Sequence, residues 1–221
     1  MEKLTRNNIV LLSCLLILIV FLPFLSDKRA LFLHVLLSAI ILSGIYSCSF
    51  RKKARRILLI SGTTAIAVIW LDLIFPFEAI RILAFGSIFT FIVAIVFFLT
   101  RHIARSQNVT STIIISAVNG YLLMGLLGAL LLDIADTTGG LIAVKPGLPA
   151  INFNGATIPG FQDYMYFSFV TLTTLGYGDI TPASAATKSI ALIIAVAGQF
   201  YLTILVAMLV GKYLSQKNRS V

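Results

Sequence analysis

Six consecutive residues, Thr174-Leu175-Gly176-Tyr177-Gly178-Asp179, suit backbone chemistry better than side-chain chemistry. Two glycines flanking Tyr177 admit backbone angles that other residues avoid. A run of this kind turns successive carbonyl oxygens toward one axis. Four copies around that axis make stacked oxygen rings able to replace the hydration shell of a desolvated cation. The stretch before it, Phe161 to Thr173, is apolar and aromatic, with the length of a helix of about three turns. The rest of the chain offers no catalytic set: His34 and His102 are isolated, and no nucleophile–base pair or metal-ligand spacing appears. An enzyme is not expected, nor a cofactor or a metal site.

The elements that position this run lie in a membrane. The 221 residues are 59% hydrophobic and only 11% charged, where a soluble domain carries about a quarter, and the mean hydropathy is +1.02. Cys14 and Cys48 both fall in apolar segments and read as reduced thiols, not as a disulfide framework. Apolar runs place six spans at Ile9 to Leu25, Leu31 to Phe50, Ile57 to Phe75, Ala79 to Thr100, Thr110 to Leu132 and Lys188 to Leu214. Pro23 is expected to end the first span early, and Pro76 marks an external turn. Asn108-Val109-Thr110 lies on the inner side and reads as a helix start with Thr110 near the cap.

The expected fold class is an all-α membrane protein: six transmembrane helices plus a re-entrant helix and loop. Residues 1–106 form a peripheral four-helix bundle and residues 107–221 a second domain. The second domain comprises an outer helix 110–132, an external connection 133–160, the re-entrant stretch 161–182 and an inner helix 188–214. Within the connection, Asn154-Gly155 between short alternating runs signals a hairpin over residues 151–157.

Charge sets the orientation. Lys3, Arg6, Arg51, Lys52, Lys53, Arg55, Arg56, Arg101, Arg105, Lys212, Lys217 and Arg219 fall on one side, 12 of the 17 basic residues. That asymmetry places both termini in the cytoplasm and explains the net charge of +9 without a nucleic-acid partner. The run Arg51, Lys52, Lys53, Arg55, Arg56 reads as a short inner loop suited to anionic lipid headgroups.

Thr173-Thr174-Leu175-Gly176-Tyr177-Gly178-Asp179 resembles the selectivity filter of potassium channels, with Leu175 where Val is usual. The resemblance runs from about Phe161 to Gly211 and implies a homotetramer in a bacterial-type plasma membrane, with K+ as the permeant ion. By position it implies that Thr174, Leu175, Gly176 and Tyr177 supply carbonyls, with the Thr174 hydroxyl closing the inner end. Gly178 completes the turn and Asp179 stands at the outer mouth. Tyr166 takes the place of a Trp that bonds the filter Asp in related channels. Val170 stands where some relatives have a carboxylate and lacks one. Gly198, twenty residues after Gly178, matches a hinge glycine, although packing tolerance explains a glycine there equally well. Leu202, Val206 and Val210 share one helix face, which the resemblance makes the cavity and gate; lipid contact is the alternative.

The fourth span decides the gating class. A voltage sensor needs several basic residues on one helix face, and here only Arg81 lies within the span, so the chain resembles the six-span channels without their sensor. No stretch suits a cytosolic ligand-binding domain. A coupled transporter predicts matched broken helices in two halves, and only one re-entrant stretch is present. A non-conducting regulatory subunit remains the other alternative. Two polar pairings are expected inside the bilayer, where unpaired groups are costly. Asp72 and Arg81 sit at similar depth on consecutive helices and predict a salt bridge. Asn119 and Gln199 both lie near mid-membrane and predict an amide contact.

Overall fold

The computed structural model describes residues 2–24, 29–47, 52–75, 77–106, 108–142, 150–153 and 160–219. Its helices are α1 (Glu2–Phe21, continued by a 3-10 turn Leu22–Phe24), α2 (Arg29–Ser47), α3 (Lys52–Ile74), α4 (Glu78–Arg105), α5 (Ser111–Ile142), α6 (Phe161–Leu172) and α7 (Ala185–Arg219). Two short strands, β1 (Ile151–Phe153) and β2 (Ile180–Pro182), flank α6 in sequence. Among the described residues six helices are long and apolar enough to cross a membrane, all but the short α6. The mainly helical, six-span fold expected from the apolar runs is the one observed.

Several helix ends differ from the hydropathy boundaries. Helix α5 continues ten residues beyond Leu132, through Asp133 and Asp136, to Ile142. Acidic residues end an apolar run without breaking a helix, so the expected connection from 133 is helical in its first part. Helix α7 begins at Ala185, ahead of Lys188, because the Ser184 hydroxyl accepts the Thr187 N–H at 3.1 Å and caps the first turn. The basic run is not a loop: from Lys52 onward it forms the first turns of α3, with Arg55 and Arg56 exposed, while Arg51 lies outside the described residues.

Residues 1–123 with 203–221 form one compact unit and residues 124–202 another, so the division does not follow the expected boundary at 106. In the first unit α1 packs on α2, α2 on α3 and α3 on α4. Its centre is the fully buried ring of Phe91. A Cβ at Gly44 of α2 would lie 2.5 Å from Ile95 Cδ1 and 3.3 Å from that ring, and one at Gly62 of α3 would lie 2.8 Å from Ile45 Cδ1 and 3.1 Å from the ring. Both glycines therefore admit the ring by lacking a side chain. Several polar side chains find partners within the unit. Ser61, Thr63 and Thr64 donate to carbonyls of their own helix, and Trp70 Nε1 donates to Ser38 Oγ at 3.1 Å, as an apolar solvent requires.

Neither intramembrane pairing forms as expected. Asp72 Oδ1 is buried without a hydrogen-bond partner, Arg81 is exposed, and among the described residues no ion pair joins them. Arg81 lies in the first turn of α4, at the end of the helix, where a long side chain reaches out of the bundle. Asn119 Nδ2 donates to the Asn8 carbonyl of α1 at 2.9 Å, beside a Ser116 Oγ to Asn8 Oδ1 bond of 3.2 Å. Gln199 instead reaches the Thr174 hydroxyl at 3.5 Å. Spacing along a helix axis does not fix the direction in which a side chain points.

Candidate functional site

Helix α6 aims the site. Its N-terminus is closed by Asp163, whose Oδ2 accepts the Gly160 N–H at 2.7 Å, an acid at the positive end of the helix dipole. Its buried face, Tyr164, Met165, Phe167, Ser168, Val170 and Leu172, packs within the second unit. Fully buried Ser168 donates to the Gly125 carbonyl of α5 at 2.7 Å. Side chains at Gly125 and Gly128 would collide with the Phe169 ring and the Ser168 hydroxyl respectively. These small residues of α5 therefore make room for α6.

The C-terminus of α6 passes directly into the Gly-Tyr-Gly run. Its last turn would leave carbonyls unsatisfied, and the run supplies the donors. Val170 O accepts Leu175 N–H at 3.0 Å and Gly176 N–H at 3.4 Å, and Thr171 O accepts Thr174 N–H at 3.0 Å. Val170 thus supports the run through its backbone carbonyl, a role no side-chain pattern announces.

Backbone φ is positive at Thr174 (60°), Gly176 (58°) and Gly178 (79°), at every second residue. A chain that alternates handedness in this way sends its N–H groups to one side and its carbonyls to the other. Glycine takes the left-handed region freely; Thr174 pays a steric penalty there of about 1–2 kcal/mol, which neighbouring contacts must offset. Thr174 to Asp179 are all exposed in the single chain, with Leu175 at 60% and Tyr177 at 68%. The run is therefore uncovered in the single chain.

A short helix leading into this alternating backbone run lies within residues 149–215, which match a family described as an ion channel. Residues 149–215 are thus similar to an ion channel pore domain. Two-pore potassium channel 4 of Arabidopsis thaliana is 35% identical over 69 residues, 31% of this chain and 24% of that protein. The chain thus spans about a quarter of the relative it matches. No solved structure matches the chain. Ion channel families are not enzymatic, and pore-loop channels assemble as oligomers.

The C-terminal end of the run is held from two sides. Tyr166 Oη donates to Asp179 Oδ2 at 2.7 Å. That bond holds the Asp179 carboxyl below its usual range and pushes the Tyr166 hydroxyl above its own. Beyond Asp179, β2 pairs antiparallel with β1, Phe153 opposite Ile180 and Ile151 opposite Pro182. The expected hairpin turn at Asn154-Gly155 lies outside the described residues; among the described residues Ile151–Phe153 pairs with a strand that begins 27 residues after Phe153. Phe153 stands edge-on to Tyr164, with ring centroids 5.4 Å apart. Tyr164 Oη donates to Asp136 Oδ2 at 2.6 Å. Burial, then the bond to Asp136, raises the Tyr164 pKa far above the ordinary tyrosine range, so it stays a donor.

Gly198 of α7 is buried against the end of α6: a Cβ there would lie 2.5 Å from the Leu172 carbonyl oxygen. Helix α7 runs unbroken through Gly198, so close approach is sufficient reason for the glycine. Leu202, Val206 and Val210 are exposed, at 37%, 53% and 52%. Sequence reasoning missed Thr187, Phe153, Tyr164 and Asp136. The one available signal was the pair of acids one helical turn apart at Asp133 and Asp136, read as a boundary instead of a contact.

Proposed function

We propose that this chain is one subunit of a homotetrameric, potassium-selective channel that conducts K+ passively. The reading rests on one observation: positive φ at Thr174, Gly176 and Gly178, within a Thr-Leu-Gly-Tyr-Gly-Asp run that leaves the end of a short re-entrant helix. The carbonyls of Thr174, Leu175, Gly176, Tyr177 and Gly178 replace water around the ion, and the Thr174 hydroxyl closes the inner end. Passage requires sites that bind firmly enough to strip water yet repel one another's ions. Asp179, Tyr166 and Val170 hold the run. The name of the Arabidopsis relative, a potassium channel, supports the choice of ion.

Residues 107–221 form the conducting part and residues 1–106 a peripheral bundle in which Arg81 is the lone basic residue of the fourth span, so opening is nearly independent of voltage. Gly198 serves as a point of flexure as well as of packing, and Leu202, Val206 and Val210 line the inner gate. The membrane is a plasma membrane with both termini inside, which sets the start of α3, with Arg55 and Arg56, against anionic headgroups. Purified protein in liposomes tests the proposal. Potassium flux that barium blocks and that needs no coupling ion agrees with it. Flux that requires a second ion, or none at all, contradicts it.

A further inference from the structure

An array of carbonyl dipoles facing one axis repels itself unless a cation lies between them. The filter therefore has to be held by something else whenever ions are scarce. Its inner end is tied to α6 through Val170. At its outer end a closed circuit of contacts appears that the conduction mechanism itself does not use. From Asp179 it passes to Tyr166 on α6, two residues back along α6 to Tyr164, across the ring contact to Phe153, and through the β1–β2 pairing to Ile180, the neighbour of Asp179.

Two features lock this circuit. The Ala150 carbonyl, just before β1, accepts three donors from beyond β2: Ala183 N–H at 3.0 Å, Ser184 N–H at 3.1 Å and Thr187 Oγ1 at 2.7 Å. Thr187 is fully buried, so its hydroxyl bond is shielded from competing water. Tyr164 is meanwhile fixed to α5 by Asp136. The segment that leaves the filter is thus pinned to the segment that precedes α6, and neither moves without breaking several bonds at once.

We propose that the β1–β2 clip, locked by Thr187 and braced by Phe153 and Tyr164, is a splint that keeps the outer filter in its conducting conformation when few ions occupy it. Thr187, Phe153 and Tyr164 are positioning residues; none supplies an oxygen to the ion. The inference rests on the potassium-channel reading above, and the experiment separates the two.

The full-length protein is reconstituted in bilayers, and its current is measured in symmetrical high potassium. External potassium is then replaced by N-methylglucamine for a fixed interval and restored. Thr187→Val keeps the shape and removes the hydroxyl; Thr187→Ser keeps the hydroxyl. The splint predicts that wild type and Thr187→Ser recover alike, whereas Thr187→Val recovers at least about fivefold less current, the equilibrium weight of one of the four hydrogen bonds the tetramer would lose. Its potassium-to-sodium reversal potential in high potassium is unchanged. Equal recovery of Thr187→Val and wild type overturns the splint, as does equal loss in Thr187→Ser. Should Thr187→Val not assemble, Phe153→Leu, at a half-buried position, carries the same expectation, and wild-type recovery in that variant overturns the proposal. Failure of the channel reading registers separately, as a wild-type reversal potential without potassium preference.

Discussion

Tyr166 Oη donates to Asp179 Oδ2 at 2.7 Å, so the residue that ends the Gly-Tyr-Gly run is bonded to the helix that leads into it. The bond lowers the Asp179 pKa from the ordinary 3.8. A depressed carboxylate contributes its stabilisation above the ordinary pKa and loses it as pH falls through the lowered value. The outer mouth should therefore hold unchanged from neutral pH to about 4 and loosen only below it. Tyr166→Phe removes the donor and lets Asp179 titrate higher. Proton-induced loss of current should begin at higher pH in that variant, and superimposable pH curves for the two proteins would contradict the role of the bond.

Gly178→Ala is expected to abolish selective conduction. A Cβ at this position meets nothing within 4 Å, but φ is +79°, so the cost is backbone strain alone, about 1 kcal/mol or more per subunit. Undiminished potassium preference in this variant would remove Gly178 from the filter.

Gly198→Ala and Gly211→Ala form a matched pair on α7. A Cβ at Gly198 would stand 2.5 Å from the Leu172 carbonyl, a backbone atom at the base of the filter helix, whereas at Gly211 nothing lies within 4 Å. The first substitution should cost roughly 1–3 kcal/mol as overpacking and reduce current; the second should leave stability and current near wild type. Thermal unfolding in detergent together with bilayer current distinguishes them, and equal effects would refute the packing role.

Lys212 Nζ donates to the Ile103 and Ala104 carbonyls at 2.7 and 3.0 Å, closing the C-terminal end of α4 with a cation. Lys212→Met should lower stability by about 1.5–3 kcal/mol, the range for hydrogen bonds to a charged group, while Lys212→Arg keeps most of it. Unchanged unfolding of Lys212→Met would show these bonds to be without weight.

The sequence made some of this legible and hid the rest for physical reasons. Six spans were visible because bilayer thickness demands about twenty apolar residues each, and the Gly-Tyr-Gly run because so few residue types tolerate its backbone. Thr174 was invisible as a third left-handed position, since threonine carries no preference for positive φ. The β1–β2 pair joins segments on either side of α6 and the Gly-Tyr-Gly run, and local alternation marked β1 but carried no sign of so distant a partner. Axial depth matched Asp72 with Arg81 and Asn119 with Gln199. The helix faces then sent Asn119 to Asn8 and Gln199 to Thr174, and left Asp72 Oδ1 without a partner.

Conductance should vary little with voltage. Each charge moved through the field supplies about 2.3 kcal/mol per 100 mV, and α4 carries only Arg81 within its apolar length. A conductance–voltage curve as steep as several gating charges per subunit would contradict this; the shallow slope that ion binding in the filter produces would not.

Potassium selectivity is the centre of the account, and a bi-ionic reversal potential tests it most directly. Purified protein is placed in a bilayer with potassium on one side and an equal concentration of sodium on the other. The carbonyl geometry at Thr174 to Gly178 predicts a reversal potential displaced toward the potassium equilibrium by more than about 59 mV, the value for a tenfold preference of a monovalent ion. A reversal potential near zero would contradict it.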